Sequence, residues 1–486
     1  MHTNEDLTIP RDFKKHTLLP EIVHWEETSE HVTWGRTSKA KWHDNLAALL
    51  VPIGPLWMLL NWIALEYFDG SLAEAMRAFA SRDGVQFAIQ HFPQPSYAAF
   101  RGYAAWILFQ AGLYAFLPGA KCLGQRTPGG HLLSYTANGL MAWTMTHVLF
   151  FSGACVLGFW DLATIANHWE GLWVAANGYG FLLSVVALMK GYCSPSFPED
   201  RKLSGSWIFD FWGGVELNPR LGSAFDIKFF HNGRPGIVAW TLMYASPSQF
   251  HTLQHSADLI PSDISYAAHQ YQTHGHITTS MILILILHTT YVLDFFLHES
   301  WYTRTIDITH DHFGFMLAWG DTTFLPAFYT LPAQYLARYP NHLSLSQATC
   351  ILTLGLAGYT IFRQSNNQKD LVRTNNGDAT IWRKPATFIP CTYTTADGKQ
   401  HSSLLLTSGW WGICRHANYT GDLMMAFAMC ATCGTRHLLP WSYFAFMGVF
   451  LMLRTRRDEG RCREKYGERW VEYCGRVQWR LVPGVW

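Results

Sequence analysis

Apolar segments about as long as a membrane is thick recur along this chain and constrain its fold more than any other feature. A helix needs about 20 residues to cross the hydrocarbon core, where its backbone must be hydrogen-bonded internally. The clear candidates are 46–65, 97–117, 138–160, 172–189, 278–297, 313–331, 345–363 and 438–454. The segment 236–245 is short, and 423–434 reaches membrane length only when extended backward. The sequence therefore predicts an all-α polytopic membrane protein, a bundle of nine or ten transmembrane helices.

The composition agrees with a membrane protein. Charged residues make up 15% of the 486 residues and apolar residues 49%, whereas about 25% are charged in ordinary globular proteins. The formal net charge of +1 argues against nucleic acid as a partner, because that function needs a large basic surface. The N-terminal MHTNEDLTIPRDF carries acids and no apolar core, so we expect no cleavable signal peptide.

Three polar stretches, 190–235, 364–406 and 454–486, interrupt the apolar pattern. The last one begins with a run of bases directly after an apolar segment, and by the positive-inside rule that end faces the cytosol. These bases are Arg454, Arg456, Arg457, Arg461, Arg463, Lys465 and Arg469. We divide the chain into a polar N-terminal segment 1–45, a transmembrane part 46–363 and a C-terminal part 364–486.

The cysteine pair in CATC (430–433) has the spacing of two metal ligands. It lies inside an apolar segment with no second pair, so we interpret Cys430 and Cys433 as packed thiols and expect no metal site.

The segment TIDITHDHFGFMLAWGD (305–321) places several acids and histidines at the mouth and in the interior of one predicted span, among them Asp311, His312 and Asp321. Ionisable residues at membrane depth are costly and indicate a functional site. The alternative is an interfacial loop whose polar groups are simply solvated. Glu216 belongs to a second charged stretch, 212–240, which fits a structured loop with mutually paired acids and bases equally well.

The C-terminal third contains polar stripes at helical spacing. Arg415, Tyr419 and Asp422 fall at i, i+4 and i+7 with Asn418 beside them, and Lys369 and Arg373 are four apart. A third set is Asp458, Cys462, Lys465, Tyr466 and Tyr473. Cations, amides and phenols converging from three cytosolic segments suit a ligand with several phosphates and aromatic rings, such as a dinucleotide. The alternative is a basic cap on anionic lipid, which leaves the amide and the phenol unexplained.

No G-x-G-x-x-G follows a predicted strand, so a Rossmann domain is not the means of binding. The segment LLLTSGWWGICRHANYTGDL, followed by LLPWSYF, RRDEGRCREKYGERWVEY and the terminal RLVPGVW, resembles the C-terminal signature of the sterol reductase family. The similarity continues upstream through GVELNPRLGSAFDIKFFHNGRPGIVAWTL, HGHITTSM, YVLDFFLHESWYTRTIDITHDHFGFMLAWGD and NNQKDLVR. It covers the chain from about residue 97 to the end.

This resemblance implies a multi-pass bundle in the endoplasmic reticulum membrane, a sterol substrate, and NADPH bound in a cytosol-facing pocket of the C-terminal third. It makes the transmembrane part 46–363 the sterol-binding part and the C-terminal part 364–486 the NADPH-binding part. Membrane lipid and other enzymes of sterol synthesis are the further partners it implies. Carried over position by position, the cofactor contacts are Lys369, Arg373, Leu406, Trp411, Asn418, Tyr419, Asp458, Cys462, Arg463, Glu464, Lys465, Tyr466 and Tyr473.

Within the family, NGRPGIVAWTL, HDHFG with WGD, and QKDLVRTNNGDATIW followed by YTTADGKQHSSLL resemble the Δ7 branch, which reduces the C7–C8 double bond of a sterol. A Δ14 reductase, acting on the C14–C15 bond, and a non-catalytic sterol-binding relative are the alternatives. A scaffold of the lamin B receptor type would need a basic N-terminal domain, and 1–45 is short and not basic. A membrane methyltransferase of the isoprenylcysteine type is smaller and lacks the upstream motifs.

Two departures from the family pattern concern loops. The segment IWRKP (381–385) lacks a glycine that relatives have, which predicts a shorter loop. Extra polar sequence around 246–265 leaves the course of the fifth helix open.

Reduction of an isolated sterol double bond requires a proton donor, because an alkene does not accept hydride. We expect a general acid to protonate C8 of a 5,7-diene, and NADPH to supply hydride at C7. The acid must be neutral at working pH, which burial in an apolar pocket achieves. Asp311, His312 and Asp321 are the first candidates and Glu216 is the reserve.

Overall fold

The computed structural model describes residues 44–242, 265–395 and 397–485, and in this part the chain is mostly helical. Eight long helices form the framework. They are α1 (Leu50–Tyr67), α2 (Tyr97–Phe116), α3 (Gly139–Phe151), α4 (Trp169–Cys193), α5 (Thr279–Leu297), α6 (Leu345–Thr374), α7 (Ala417–Ala431) and α8 (Trp441–Tyr466). The N-terminal segment and nearly all of the extra sequence at 246–265 lie outside the described residues.

Shorter helices connect this framework. In the first half they are Leu72–Phe79, Gly84–Gln90, Thr164–Asn167, Trp207–Gly213, Ile227–Gly233 and Pro235–Leu242. In the second half they are Ser265–His274, Glu299–Tyr302, Ile306–Thr309, Phe315–Trp319, Leu325–Phe328, Leu331–Arg338, Trp410–Ile413 and Glu468–Arg476. Turns of 3-10 helix cover Asp44–Leu49 and Pro198–Asp200, and π-helical turns cover Ser152–Val156 and Gly320–Phe324.

Hydroxyl side chains fix where several long helices begin. Ser96 Oγ accepts a hydrogen bond from the Ala99 backbone N–H at 3.4 Å, and Thr278 Oγ1 accepts one from Met281 N–H at 3.3 Å. Ser344 and Gln347 form a reciprocal capping box at the start of α6. Each cap satisfies a backbone donor that the first helical turn leaves without a partner.

Five helices in the described part are long and apolar enough to cross a membrane. They are α1, α3 with the π-helical turn that follows it, α4, α5 and α6. The expectation of a helical membrane protein is therefore supported, while the number of nine or ten spans stays a prediction. Helix α6 continues unbroken across residue 363, and the division of the chain at that point is likewise still a prediction.

The predicted span 313–331 is an irregular helix. Helical turns follow one another from Phe315 to Arg338, interrupted by the π-helical turn Gly320–Phe324 and by a two-residue turn at 329–330. Proline has no N–H to donate to the preceding turn, so Pro326 and Pro332 weaken the regular hydrogen-bond pattern. The irregular turn brings Asp321 to the inside of the bundle, where 7% of the residue is exposed.

Four two-stranded antiparallel hairpins, which the sequence analysis did not predict, accompany the helices. They are β1–β2 (Ala120–Arg126 and Leu132–Ala137), β3–β4 (Arg220–Leu221 and Phe225–Asp226), β5–β6 (Thr380–Ile381 and Lys384–Pro385) and β7–β8 (Phe388–Thr394 and Gln400–Leu406). In β5–β6 the turn residues Trp382 and Arg383 have φ angles of 49° and 64°. The turn is two residues long, and that this loop is shorter than in relatives stays a prediction.

Helices α6 and α7 pack with their backbones in close contact. A Cβ atom at Gly421 would lie 2.5 Å from the Gly358 carbonyl oxygen, and one at Gly358 would lie 2.7 Å from the Gly421 oxygen. Glycine at both positions removes that clash. The close approach holds the start of α7, with Asn418 and Tyr419, against the middle of α6.

Candidate functional site

A cavity of about 2400 Å³ lies in the middle of the bundle, and one stripe of α8 forms its wall from end to end. Along this stripe the cavity is lined first by Phe446 and Phe450, then by Arg454, and then by Arg461 and Lys465. Residues four apart share a helical face, so one helix presents an aromatic surface and then a charged one. We call these two parts the apolar half and the charged half of the cavity.

Aromatic side chains in close contact line the apolar half. The rings of Phe446 and Phe324 have centroids 4.9 Å apart, and Trp240 lies 5.2 Å from Tyr291. Trp319 donates a hydrogen bond from Nε1 to Asn177 Oδ1 at 2.9 Å, which fixes the orientation of its ring. Flat apolar walls of this kind fit a rigid, flat hydrophobic ligand.

Most residues expected to contact a cofactor line the charged half. They are Lys369, Arg373, Leu406, Trp411, Asn418, Tyr419, Asp458, Cys462, Lys465, Tyr466 and Tyr473. The remaining two, Arg463 and Glu464, are exposed and do not line the cavity.

Two of the predicted stripes cross helix ends. Helix α8 ends at Tyr466, followed by Gly467 at φ 52°, and Tyr473 belongs to the next helix, Glu468–Arg476. Helix α7 begins at Ala417, so Arg415 precedes it. The spacing of Tyr473 and Arg415 therefore does not explain why they lie at the site. Tertiary contacts place them: Arg415 donates to Glu459 at 2.8 Å and to the Val477 carbonyl at 2.6 Å.

Three side-chain contacts, two of them ion pairs, join α8 to the segment 305–312. Arg454 Nη2 lies 2.6 Å from Asp307 Oδ2, and Arg457 Nη2 lies 2.8 Å from Asp311 Oδ2. Arg461 contacts both His310 and Asp458. We call this set the ion-pair ladder. It closes one side of the cavity where its two halves meet, and the sequence analysis did not predict it.

The ladder sets the charge of its members. Burial alone would raise the pKa of Asp307, but Arg454, with smaller contributions from Arg457 and Lys228, more than offsets this effect, and the pKa lies below its ordinary value. Burial raises the pKa of Asp311, and Arg457 opposes the rise only in part. Burial and the charge of Arg461 keep the pKa of His310 well below its usual range. His310 is therefore neutral at physiological pH.

Two cations of the charged half, Lys369 and Arg373, form no ion pair with an acid in the described part of the chain, whereas Arg415 pairs with Glu459. Lys369 Nζ lies 4.5 Å from the centroid of the Trp411 ring, and Arg373 donates from Nε to the Leu404 carbonyl at 3.3 Å. Burial, together with the neighbouring Arg461, lowers the pKa of Lys465 to about 7. A concentration of positive charge in a largely enclosed space favours a ligand with several negative charges.

Asn418 offers a further binding group. It is 9% exposed, and its Oδ1 atom has no hydrogen-bond partner among the described residues. A buried amide oxygen without a partner costs free energy, which a ligand N–H or O–H donor would recover. Cations that can bind phosphates, an aromatic ring (Trp411) that can contact a base, and an amide that can accept a hydrogen bond together fit a dinucleotide.

The four candidate acids occupy different surroundings. Glu216 accepts hydrogen bonds from Lys190 Nζ at 2.9 Å and from the Ser196 N–H at 2.5 Å, outside the cavity. His312 also lies outside it and donates from Nε2 to the Asp200 carbonyl at 3.1 Å. Asp311 lines the cavity in its pair with Arg457.

Asp321 lines the cavity without a cationic partner among the described residues. The Asn232 side chain hydrogen-bonds to its carboxyl group, and its buried Oδ2 atom has no partner in that part of the chain. Of the described acids that line the cavity, only Asp422 shares this lack of a cation within salt-bridge distance. Asp321 and Asp422 are therefore the two described acids of the cavity in which no cation within salt-bridge distance favours the ionised carboxylate over the protonated form.

Cys430 and Cys433 are packed thiols. Both are buried, and their sulfur atoms lie 3.2 Å from the Pro440 carbonyl oxygen and 3.4 Å from that of Pro332.

Comparisons with known proteins extend over almost the whole chain. The model of the ergosterol biosynthesis ERG4/ERG24 family matches residues 61–486. A 7-dehydrocholesterol reductase of Danio rerio is 40% identical over 96% of this chain and 96% of the relative. One of Xenopus laevis is 40% identical over 94% and 95%. A Delta(14)-sterol reductase of Methylotuvimicrobium alcaliphilum is 34% identical over 90% and 94%.

These matches agree with the cavity, which joins a flat aromatic space to a cationic one. Sterol reductases are oxidoreductases of sterol biosynthesis, and the apolar helices fit a membrane location. The chain belongs to the ERG4/ERG24 family of sterol reductases.

Proposed function

We propose that this chain reduces the C7–C8 double bond of a 5,7-diene sterol with NADPH. The observation that carries the proposal is the single cavity whose aromatic and cationic halves meet along α8. A sterol in the apolar half and a dinucleotide in the charged half would meet beside Arg454 and Tyr419. The 7-dehydrocholesterol reductases at 40% identity favour this double bond over C14–C15.

The residues of the charged half fit NADPH. Lys369, Arg373 and Lys465 would bind its phosphates, and Asn418 would accept a hydrogen bond from its nicotinamide or a ribose. When bound, NADPH supplies the hydride. The exclusion of Arg463 and Glu464 from the cavity leads us to omit them from the proposed contacts.

Asp321 is the proton donor that we propose. A carboxyl group gives up a proton only if it holds one, and a neighbouring cation would stabilise the ionised form instead. Asp311 has such a cation, and Glu216 and His312 do not line the cavity. The buried Oδ2 atom of Asp321 has no partner to stabilise a negative charge among the described residues. Asp422 is the second candidate, because it too has no cation within salt-bridge distance among the described residues.

The arrangement also supports an orientation in the membrane. The arginines and lysines of 454–469 follow the apolar half directly, and basic segments are retained on the cytosolic side. We propose that the charged half opens to the cytosol from the endoplasmic reticulum membrane.

Product analysis tests the proposal directly. The purified protein is incubated with NADPH and either a 5,7-diene sterol or an 8,14-diene sterol, and the products are identified by gas chromatography and mass spectrometry. We expect loss of the C7–C8 double bond and slow or no turnover of the 8,14-diene.

The alternative is a Δ14 reductase, which the 34% identical Delta(14)-sterol reductase supports. Faster turnover of the 8,14-diene would establish that alternative. Sterol binding without turnover of either diene would indicate a non-catalytic relative.

A further inference from the structure

The hairpin β1–β2 forms part of the cavity wall, although it is distant in sequence from the other charged-half residues. Leu123, Gln125 and Arg126 line the cavity from strand β1. Strand pairing with β2 is irregular between Leu123 and Arg126, and such an irregularity re-aims side chains. At the tip, a Cβ on Gly130 would lie 3.1 Å from the Asp397 carboxylate carbon, so the hairpin rests against the β7–β8 turn.

Arg126 belongs electrostatically to the charged half. Burial raises the pKa of Tyr393 on β7, and the positive charges of Arg126 and Arg373 oppose that rise. Lys465 Nζ lies 3.8 Å from the centroid of the same Tyr393 ring. Three cations from β1, α6 and α8 therefore surround one phenol.

Acids do not neutralise the arginines of this group. Arg126 donates from Nη1 to the Gly130 carbonyl at 3.0 Å and forms no ion pair with a described acid. The nearest turn carboxylate, Asp397, is held by Thr395 and Lys399. The ladder arginines, in contrast, all have acidic partners. Like charges gathered in a half-buried space repel one another unless an anion joins them.

We propose that Arg126 binds the 2′-phosphate of NADPH and makes the site select NADPH over NADH. This inference rests on the proposed function. The distance of this group of cations from the junction supports the 2′-phosphate rather than the diphosphate as the ligand of Arg126. Hydride transfer must occur where the two halves meet, near Arg454, whereas Arg126 and Lys465 both act on Tyr393. Lys465 lies 11 residues further along α8, about 16 Å at the helical rise. The adenosine end of an extended dinucleotide reaches that far, and the 2′-phosphate is attached there.

The test compares Arg126→Gln with Lys121→Gln in the full-length protein in detergent or nanodiscs. Lys121 is the matched control, since it lies on the same strand, is exposed, bonds to Thr136 Oγ1 at 2.7 Å and does not line the cavity. The dissociation constants of NADPH, NADH, 2′,5′-ADP and 5′-AMP are measured by calorimetry. Arg126→Gln removes a charge-assisted hydrogen bond to the phosphate, so we expect R126Q to bind NADPH and 2′,5′-ADP about tenfold more weakly or worse. NADH and 5′-AMP should bind R126Q and wild type alike, and K121Q should match wild type throughout.

Two results would overturn the inference. Equal weakening of NADPH and NADH would assign Arg126 to the diphosphate or to folding, and unchanged NADPH binding would remove it from the site. Arg126→Lys, which keeps the charge, should retain part of the preference for 2′,5′-ADP if the variant folds. Failure of the proposed function gives separate results: if the cofactor assignment is wrong, the wild-type protein binds neither NADPH nor 2′,5′-ADP, and if only the double bond is wrong, it binds both and turns over the 8,14-diene.

Discussion

The two halves of the cavity are held together by different forces. Aromatic contacts such as Phe446 against Phe324 form the walls of the apolar half. The walls of the charged half come from α6, α8 and the hairpins β1–β2 and β7–β8, and ion pairs such as Arg454–Asp307 hold the segments around the cavity together. Shape complementarity therefore decides what binds in the first half, whereas charge, and with it pH and salt, decides it in the second.

The difference also separates the roles of single residues. A residue of the apolar half should affect the sterol and leave the cofactor unchanged, and a residue of the charged half should do the reverse. Only a residue at the junction should affect turnover while leaving both affinities intact. Each prediction below tests one part of this comparison.

At the junction, Asp321→Asn should have the largest effect. The amide keeps the size and polarity of the carboxyl group but has no acidic proton to give, so kcat should fall by about 10²–10⁴ with both KM values near those of wild type. Single-turnover kinetics with saturating NADPH and sterol measure this step. The matched variant is Asp422→Asn, the other unpaired acid of the cavity. If D422N lost turnover and D321N kept it, Asp422 would replace Asp321 as the donor.

In the charged half, Asn418→Ala should raise the KM for NADPH about tenfold and leave the KM for sterol unchanged. The loss of one hydrogen bond from a buried amide, with its ligand partner left unsatisfied, costs about 1–3 kcal/mol. Asn375→Ala is the control, because Asn375 is exposed at the end of α6 and does not line the cavity. A larger change for sterol than for NADPH would contradict the division of the cavity.

In the apolar half, Phe446→Ala should raise the KM for sterol several-fold without changing the KM for NADPH. The ring contacts Phe324, Phe328 and Phe450 within the cavity wall, and its removal takes apolar contact area from a flat ligand. Part of the loss will appear as lower thermal stability, so the melting temperature is measured in parallel. Phe427→Ala serves as the control, since Phe427 is 39% exposed and does not line the cavity.

The sequence predicted the charged half better than the junction, for a physical reason. Helical periodicity relates residues on one helix, so it grouped Asp458, Cys462 and Lys465 correctly on the cavity side of α8. It carries no information about contacts between distant segments. The pair Arg454–Asp307 joins residues 147 positions apart, and neither spacing nor composition indicates that they meet.

The same limit explains the errors and omissions at the edges of the site. The stripe ending at Tyr473 continued a helical period through Gly467, whose positive φ ends the helix. The hairpin that carries Arg126 was not predicted, because helical periodicity gives no information about strands. A signal was present in KCLGQRTPGGHLLSYTA, where a Pro-Gly-Gly turn separates two short β-prone runs. Membrane helices were easier to predict, because their length and apolarity follow from the bilayer alone.

The smallest predicted effect concerns the pH dependence of the charged half, and Lys465 is its source. Its pKa of about 7 in the free protein means that the side chain is charged below this pH and neutral above it. Bound phosphate stabilises the charged form and raises the pKa, so NADPH affinity should fall several-fold as the pH rises from about 7 toward the raised pKa.

An arginine stays charged over this range, and Lys465→Arg should therefore flatten the profile. The control Lys399→Arg, at an exposed turn, should keep the wild-type slope. A pH-independent NADPH affinity in the wild type, measured by calorimetry between pH 6 and 9, would show that phosphate binding does not depend on the charge of Lys465.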